Sequence, residues 1–401
     1  MRILQLHNKV PYPPKDGGSI GVWNYTFELA KQGHDVTLLA MNTKKHYCDI
    51  KSIPSEITDL INIISVDIDA PITFAGALSN LLFSKKPYNA QRFILKSYKE
   101  KLEALLLNNT FDVIQLEGLY LCPYIPSIRK LSKALISFKA HNVEHEIWNR
   151  VSVNESSFFK RNYLKILSNR IMEMEADVVN KYDVLVTFTE RDASLFNSIG
   201  NKKPFIASPI GIDTSHLIPN KTNIKYPSIF YIGALDWAPN QEGLLWFIRK
   251  VWHNIQEKFP DIKLEVAGRN APDWLIETLQ ESSIIYHGEI NDAYKFINEH
   301  AVMIVPLLSG SGMRIKIVEG MALGKTIITT SIGNEGIATT HNIDILIADT
   351  AEQFQKQVER VLTEKQFFDS IGVNAIKYVK QNFDIKQITK TLIAFWSKQI
   401  Q

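Results

Sequence analysis

A loop of small residues in the last third of the sequence has the composition of a phosphate-binding site. An apolar run over 301–308, typical of a buried strand, is followed by serine and glycine, and a helical pattern then continues to Gly324. Such a loop leaves backbone N–H groups free for an anion, and the dipole of the following helix adds to the attraction. We therefore place in a binding site the loop residues Ser309, Gly310, Ser311, Gly312 and Met313. The alternative is an ordinary strand-to-helix turn with a solvated basic edge.

Three charged residues follow the loop. Arg314 and Lys316 stand at the predicted helix start, where the dipole disfavours cations unless an anion lies in front of them. Glu319 follows on the same helix, where its carboxylate is placed to accept hydrogen bonds from sugar hydroxyls. A nucleoside diphosphate offers both groups. If such a ligand reacts by losing its diphosphate, Arg314 and Lys316 would neutralise the charge on that group, so we predict a catalytic role for both and a ligand-binding role for Glu319.

The run from Pro306 to Ile328, PLLSGSGMRIKIVEGMALGKTII, resembles the donor-binding segment of family 4 glycosyltransferases. These are retaining enzymes of the GT-B fold, and the spacing G-x-G-x-R-x-K-x-x-E is similar to that of their exopolysaccharide-type branch. The resemblance implies an α/β protein with two Rossmann-like parallel-sheet domains that face each other across a cleft. It also implies that Glu319 holds the ribose of the donor.

The sequence departs from the family pattern at two places. Many members carry a basic pair after the first strand of the second domain, but the residues from Ala234 to Glu242 include no cation. The first of two glutamates spaced eight apart would fall at Ser311. Arg314 and Lys316 therefore have to supply the positive charge, and backbone amides of the loop take over part of the recognition of the donor sugar.

The rest of the chain alternates strand and helix patterns, which favours parallel sheets covered by helices on both faces. A length of 401 residues fits two domains. The segment 208–213 contains proline and glycine and is predicted to be the hinge between an acceptor-side domain over 1–207 and a donor-binding domain over 208–382. By resemblance, the last helix over 383–401 is expected to pack back on the first domain.

Other candidate site residues follow predicted strands, at the edge where parallel sheets bind ligands. Gly17 and Gly18 come after the first strand, and a tight turn explains them as well as a ligand loop does. Gly233 and Gly288 follow two strands of the second half, and we place all four glycines in the donor site. His141 also follows a strand. In similar glycosyltransferases a histidine at this place contacts the sugar near the reacting carbon, so we predict a catalytic role for it.

Bulk composition limits the partners. Lys+Arg 45 against Asp+Glu 42 gives a net charge of +3, which does not point to nucleic acid. Cys48 and Cys122 lack metal-ligand spacing and favour reduced thiols in a cytoplasmic setting. We expect no secretory signal and no spanning helix, so any membrane contact would be peripheral. The basic helical pattern over 71–107 fits either a solvated face or a surface for anionic lipid.

Together these features predict a glycosyltransferase that moves a sugar from a UDP- or GDP-linked donor to a hydroxyl acceptor with retention of configuration. The resemblance suggests a glycan or lipid-linked glycan of surface polysaccharide synthesis as the acceptor. No cofactor and no metal are expected, because the one Asp-x-Asp match, Asp67 to Asp69, lies in a predicted loop without supporting ligands. Two alternatives stay open, namely a UDP-sugar epimerase of the GT-B fold and a non-catalytic nucleotide-sugar-binding protein.

Overall fold

The chain forms two compact units in a computed structural model that describes residues 1–14, 17–220, 224–282, 284–310 and 312–400. Unit 1 consists of Met1–Gly211 with Ile385–Gln401, and unit 2 consists of Ile212–Asp384. The unit boundaries therefore fall at 211/212 and 384/385, whereas the sequence suggests 207/208 and 382/383. Each unit contains one sheet, and every strand pair in both sheets is parallel. The α/β class predicted from the alternating pattern is confirmed.

Unit 1 contains seven strands in the order β3-β2-β1-β4-β5-β6-β7. They are β1 (Arg2–His7), β2 (Asp35–Thr43), β3 (Ile61–Ile68), β4 (Val113–Glu117), β5 (Leu135–Ala140), β6 (Val184–Thr187) and β7 (Phe205–Ala207). Every residue of β4, β5 and β6 is buried, because helices cover both faces of the sheet. The carboxyl ends of β1, β4 and β5 are neighbours, so the residues that follow them share one edge.

Unit 2 contains six strands in the order β10-β9-β8-β11-β12-β13. They are β8 (Lys225–Ile232), β9 (Leu264–Ala267), β10 (Ile285–Tyr286), β11 (His300–Val305), β12 (Thr326–Thr329) and β13 (Leu346–Ile347). The central strand β11 is buried throughout. It leads directly into the glycine loop, so the loop leaves the sheet at the carboxyl edge, where ligands bind in folds of this kind.

The helices lie on both faces of the two sheets. Those before the middle of the chain are α1 (Gly17–Lys31), α2 (Ser55–Thr58), α3 (Phe74–Phe83), α4 (Tyr88–Gln91), α5 (Lys96–Asn108), α6 (Ile125–Leu131), α7 (Glu144–Asn154), α8 (Phe158–Val178) and α9 (Glu190–Ser198). The later ones are α10 (Ala238–Phe247), α11 (His253–Lys258), α12 (Asp273–Glu281), α13 (Ala293–Glu299), α14 (Ile315–Ala322), α15 (Ala351–Thr363), α16 (Lys365–Asn382) and α17 (Ile385–Gln399). Within the described residues, no helix is both long and apolar enough to cross a membrane.

The last helix, α17, belongs to unit 1. Its Trp396 is fully buried and donates a hydrogen bond from Nε1 to Ser137 Oγ of β5, at 3.1 Å. Trp396 and Leu392 share a hydrophobic cluster with residues of α1 and with one face of the sheet. A second cluster, which includes residues of α5, α6 and α8, covers the opposite face. The first unit is therefore completed by the end of the chain.

The chain leaves unit 1 and returns to it at neighbouring positions. A Cβ atom on Gly211 would lie 2.8 Å from the Cα atom of Ile385, so no larger residue fits there without a shift of the backbone. On the side of unit 2, the amide of Ile212 donates a hydrogen bond to the carbonyl of Phe383, at 2.9 Å. The two connecting strands thus run side by side.

The segment 71–107 is not the single basic helix that its composition suggests. It folds into three helices, α3, α4 and α5, and Pro87 stands directly before α4. A proline cannot continue a helix from the preceding residues, which explains the break between α3 and α4. On α5 the lysines at 96 and 99 pair with glutamates one turn further on, so this helix has an ordinary solvated face.

Candidate functional site

The anion site that the sequence predicts consists of the glycine loop and the start of α14, both in unit 2. Gly310 and Gly312 have φ angles of +111° and +81°, a backbone conformation that favours glycine. Arg314, the residue before α14, is buried with 6 % of its surface exposed, and its guanidinium donates to the carbonyl of Gly312. Met313 is partly buried. Ser311 lies outside the described residues.

Arg314 is also held by an aromatic ring. Its guanidinium carbon lies 5.9 Å from the centroid of Trp237, the residue before α10, and a Cβ on Gly310 would lie 3.1 Å from Arg314 Nη2. Burial lowers the pKa of Arg314 although the nearby Glu335 raises it, and an arginine keeps its charge even so. The loop therefore carries a fixed positive charge beside its glycines.

Lys316 reaches back from α14 to the end of β8. Its Nζ donates to Asn240 Oδ1 at 3.1 Å, to the carbonyl of Ile232 at 3.3 Å and to the hydroxyl of Tyr231 at 3.4 Å. Burial and the neighbouring charge of Arg314 lower the pKa of Lys316 to about 7. None of these three oxygen partners is a carboxylate, so an anionic ligand would find a cation without a bound counter-ion.

Gly233 lies against the Lys316 ammonium group. A Cβ atom at this position would stand 2.9 Å from Lys316 Nζ and 3.1 Å from the side-chain nitrogen of Asn240. Glycine therefore leaves the backbone of the β8 loop open next to the cation. The structure brings together Gly233 and Lys316, which the sequence placed in one site from separate stretches.

Glu319 lies one turn beyond Lys316 on α14. Its Oε1 accepts a hydrogen bond from the hydroxyl of Tyr294 on α13, at 2.9 Å. Burial raises the pKa of Glu319 to about 7, since the Tyr294 hydrogen bond offsets only part of the effect. The second carboxylate oxygen remains as an acceptor for a hydroxyl group. Tyr294 itself was not predicted from the sequence, where it reads only as an apolar position on a short helix.

The remaining predicted donor residues of unit 2 have structural contacts as well. Ser309 Oγ donates to Glu242 Oε2 at 2.7 Å. Gly288 has a φ angle of +68°, and its carbonyl accepts a hydrogen bond from the amide of Gly268 at 2.8 Å. The strands β8 and β9 end at Ile232 and Ala267, so their loops lie at the same edge as the glycine loop.

A second group of polar side chains lies at the carboxyl edge of the unit 1 sheet. His141 follows β5, and its Nε2 lies 2.7 Å from Glu117 Oε2 at the end of β4. The imidazole stacks on Phe188, with ring centroids 5.4 Å apart and planes at 22°. His7, at the end of β1, lies 6.3 Å from His141 between ring centroids. Three adjacent strands therefore present two imidazoles and one carboxylate.

Glu117 is a buried carboxylate, with 2 % of its surface exposed. Burial alone would raise the pKa of Glu117, but the charges of Lys139 and His141 outweigh it and hold the pKa at about 2. Lys139 lies opposite Glu117 in the register of β4 and β5. It is fully buried, and its Nζ stands 3.1 Å from the ring centroid of Tyr25 on α1. Burial lowers the pKa of Lys139 to about 8 in spite of the Glu117 charge.

Neither Glu117 nor Lys139 was predicted from the sequence to lie in a site. The available signal for Glu117 was its place at a strand end, one strand before His141. The sequence argues against a buried site at Lys139, because a lysine in a strand is ordinarily solvent-exposed. Only the register, which sets it beside Glu117, explains why it is buried.

The glycine pair of unit 1 forms the first two residues of α1. Gly17 and Gly18 are exposed, and the helix start that the sequence suggests, at Ile20, lies three residues after the observed start. Asp67 and Asp69 also have structural partners. Asn42 donates to Asp67 at 2.9 Å, and Lys44 forms an ion pair with Asp69 at 2.7 Å.

Comparisons with known proteins agree with this architecture. Residues 226–364 match the profile of the family described as glycosyl transferases group 1. Three solved structures share the fold over almost the whole chain. Alr3699/HepE of Anabaena, in complex with UDP and glucose, has a TM-score of 0.68 at 11 % identity and covers 99 % of both chains. Sucrose-phosphate synthase of Thermosynechococcus elongatus has a TM-score of 0.71 at 15 % identity, with the same coverage. A UDP-forming α,α-trehalose-phosphate synthase of Burkholderia xenovorans has a TM-score of 0.67 at 13 % identity and covers 100 % of this chain and 99 % of its own.

A curated relative is also similar over nearly its full length. An uncharacterised 44.6 kDa protein in the cps region of Klebsiella pneumoniae is 25 % identical over 407 residues, which covers 98 % of each chain. The fold is thus GT-B, the architecture of these glycosyltransferases. The match to the glycosyl transferases group 1 profile lies entirely within the second unit.

Proposed function

We propose that the protein is a retaining glycosyltransferase that takes a sugar from a nucleoside diphosphate sugar. The observation that carries this proposal is the arrangement of Arg314, Lys316 and Gly233 around the loop after β11. Two cations lie beside open backbone there, and Glu319 stands one turn further along α14. This arrangement suits a diphosphate followed by a ribose. The UDP and glucose bound in the Anabaena structure support a uridine donor.

The cations have a direct chemical task in such a transfer. As the bond between the sugar and the diphosphate breaks, negative charge grows on the departing oxygens. Arg314, Lys316 and the loop amides would stabilise that charge in place of a metal ion. For attack from the same face, the departing oxygen itself accepts the proton of the acceptor hydroxyl, so no carboxylate base is required. We assign His141 to contact with the transferred sugar, with Glu117 fixing the orientation of its imidazole.

We propose that the acceptor is a glycan or lipid-linked glycan. The transfer would take place in the cytoplasm, as a step of surface polysaccharide synthesis. The support for this is the curated relative, whose description places it in a cps region. The specificity for a particular donor sugar and acceptor hydroxyl depends on the shape of the loops rather than on the fold.

A ligand screen followed by a transfer assay tests the proposal. UDP-, GDP- and ADP-sugars are compared by thermal shift, because a ligand that binds only the native state raises the melting temperature. The donor that shifts it is then incubated with oligosaccharide acceptors in the presence of EDTA, and the anomeric configuration of the product is read by NMR. We expect transfer, or slow hydrolysis without acceptor, with retention. Arg314→Ala and Lys316→Ala should each lower the rate by roughly 30- to 1,000-fold, the equivalent of about 2–4 kcal/mol.

Three outcomes would contradict the proposal. Near-normal turnover in both variants would show that Arg314 and Lys316 do not stabilise the departing diphosphate. Conversion of the donor to its epimer without acceptor would identify an epimerase. Binding without transfer or hydrolysis under any condition would indicate a non-catalytic nucleotide-sugar-binding protein.

A further inference from the structure

Helix α3 of unit 1 turns its large apolar side chains toward solvent and a polar side chain toward the protein. Its sequence, FAGALSNLLF, contains no charged residue. Phe74 and Phe83 are each 85 % exposed, Leu82 is 66 % exposed and Leu78 is 45 % exposed, whereas Asn80 is 5 % exposed. Residues four apart share one face of a helix, so Phe74, Leu78 and Leu82 form an apolar stripe. A surface helix normally turns such a stripe toward the core.

The orientation of α3 is fixed by hydrogen bonds on its inner side. Arg170 of α8 donates to Asn80 Oδ1 at 3.1 Å and to the carbonyl of Leu81 at 3.0 Å. Asn80 Nδ2 donates to the carbonyl of Lys86 at 3.0 Å, and Thr73 Oγ1 accepts from the amide of Gly76 at 3.0 Å. The polar groups thus attach the helix to the protein, and the phenyl rings point outward as a consequence.

Positive charge accompanies the apolar stripe. Lys85 and Lys86 follow α3 and are exposed, and residues 70–90 contain no acidic side chain. On α8, which carries Arg170, the first turn exposes Phe158 (61 %) and Phe159 (85 %) and continues into Lys160 and Arg161. At 1.5 Å per residue, Phe159 lies about 17 Å from Arg170 along that helix. The end of α3 and the start of α8 therefore both place exposed aromatic rings close in sequence to lysine or arginine.

We propose that the outer face of α3, with Lys85 and Lys86, docks on an anionic lipid bilayer. This α3 surface consists of Phe74, Leu78, Leu82, Phe83 and the two lysines. Apolar side chains of a helix lying in the membrane plane enter the boundary between headgroups and acyl chains, while flanking lysines meet anionic headgroups. A bilayer accepts a projecting apolar stripe without a complementary groove, and the absence of acidic side chains over 70–90 fits an anionic surface. The inference does not depend on the proposed glycosyl transfer.

Vesicle sedimentation with the full chain tests this surface. The vesicles contain phosphatidylcholine alone or phosphatidylcholine mixed with phosphatidylglycerol. We expect the protein to bind the anionic vesicles and to be released by salt. Lys85→Gln with Lys86→Gln should weaken binding roughly 25-fold, since each lysine near an anionic surface is worth about fivefold. The triple variant Phe74→Ser, Leu82→Ser, Phe83→Ser should reduce binding more than tenfold.

The control removes exposed apolar side chains elsewhere. Leu107 and Ile218 are 71 % and 72 % exposed, so Leu107→Ser with Ile218→Ser removes two apolar side chains that are at least as exposed as Leu82 and should leave vesicle binding unchanged. All variants should keep the melting temperature of the wild type because the changed side chains are exposed. Failure of the wild type to bind anionic vesicles, equal binding to neutral ones, or an unaffected triple variant would each overturn the proposal. A lipid-free dimer in sedimentation velocity that the triple variant abolishes would overturn it too, since the surface would then be covered by a second copy.

Discussion

At the scale of single residues, Lys316 and Glu319 of α14 both change charge near neutral pH. Lys316 is charged at the lower pH values and Glu319 at the higher ones. Burial and the Arg314 charge lower the pKa of Lys316 to about 7, so the free ammonium loses its proton above that pH. Burial raises the pKa of Glu319 to about 7, so the free carboxylate gains a proton below that pH. A diphosphate requires the charged lysine, and a ribose hydroxyl donates best to the charged carboxylate. Both charged forms coexist best close to pH 7.

We therefore expect a bell-shaped pH dependence of donor binding. The association constant of the nucleotide sugar should peak near pH 7 and fall by up to roughly tenfold per pH unit on either side. Above the peak, binding must return a proton to Lys316, and below it, binding must remove one from Glu319. Isothermal titration calorimetry with the donor found by thermal shift measures the profile, because the diphosphate of a nucleotide sugar does not itself titrate in this range.

Two variants separate the limbs of the profile. Lys316→Met should abolish the alkaline limb, and Glu319→Gln should abolish the acidic limb, each with weaker binding at pH 7. A wild-type profile that is flat between pH 6 and 9 would show that neither group faces the ligand.

At the scale of secondary-structure elements, the edge of the unit 1 sheet depends on the pairing of β4 with β5. The register sets Lys139 opposite Glu117, and Glu117 in turn bonds to His141. Lys139 and Glu117 are both buried, so the loss of the Lys139 charge leaves the Glu117 carboxylate with only the compensation that the histidines supply. The imidazole is thus oriented by a carboxylate that belongs to a strand rather than to the loop, and the nearby charge of Lys139 stabilises that carboxylate.

Removing the buried lysine should destabilise the protein. We expect Lys139→Met to lower the free energy of unfolding by about 3–5 kcal/mol, because it leaves the Glu117 carboxylate buried with only part of its compensation. The double variant Lys139→Met, Glu117→Gln should recover most of that loss. Urea unfolding of the single and double variants measures the coupling.

An exposed lysine provides the matched control. Lys133 lies just before β5 and is exposed, so Lys133→Met should change the free energy of unfolding by less than about 0.5 kcal/mol. Additive losses in the double variant would mean that Lys139 and Glu117 do not stabilise each other.

The elements near the glycine loop could be predicted from the sequence because their signals are local. Glycines that adopt positive φ angles and a helix that ends at a glycine mark α14 within a few residues. The edge strands β3, β7 and β13 gave no such signal. On β3 the residues Asn62, Ser65 and Asp67 interrupt the apolar pattern, because that strand lies at the edge of its sheet.

The part of the site that sequence reasoning missed depends on contacts between distant residues. Glu117 and Lys139 meet only through strand pairing, and Tyr294 reaches Glu319 from another helix. Proximity of this kind has no periodic pattern in the sequence. The cations and glycines of the site could be predicted from the sequence because the helix dipole and the backbone geometry explain their positions locally.

At the scale of the whole molecule, unit 1 is discontinuous in sequence, and α17 supplies its last component. Trp396 fills the cluster against α1 and the sheet although some 170 residues of unit 2 precede its helix. The stability of unit 1 therefore depends on a residue five positions from the end of the chain.

Truncating that tryptophan should affect unit 1 selectively. Trp396→Ala removes a fully buried ring, so we expect the free energy of unfolding of unit 1 to fall by about 3–5 kcal/mol. Hydrogen exchange read by mass spectrometry should show lost protection in α1, β1 and β5 and little change in β8 and β11. Phe354→Ala, which removes a fully buried ring from unit 2, should give the converse pattern. Equal loss across both units would contradict the assignment of α17.

The contact between Gly211 and Ile385 has a consequence for the ancestry of such chains. Because the polypeptide departs and comes back through adjacent points, the intervening module could be replaced by another of different length while the joins stay the same. Recombination at these two joins would give a chain with a different second unit and an unchanged first unit.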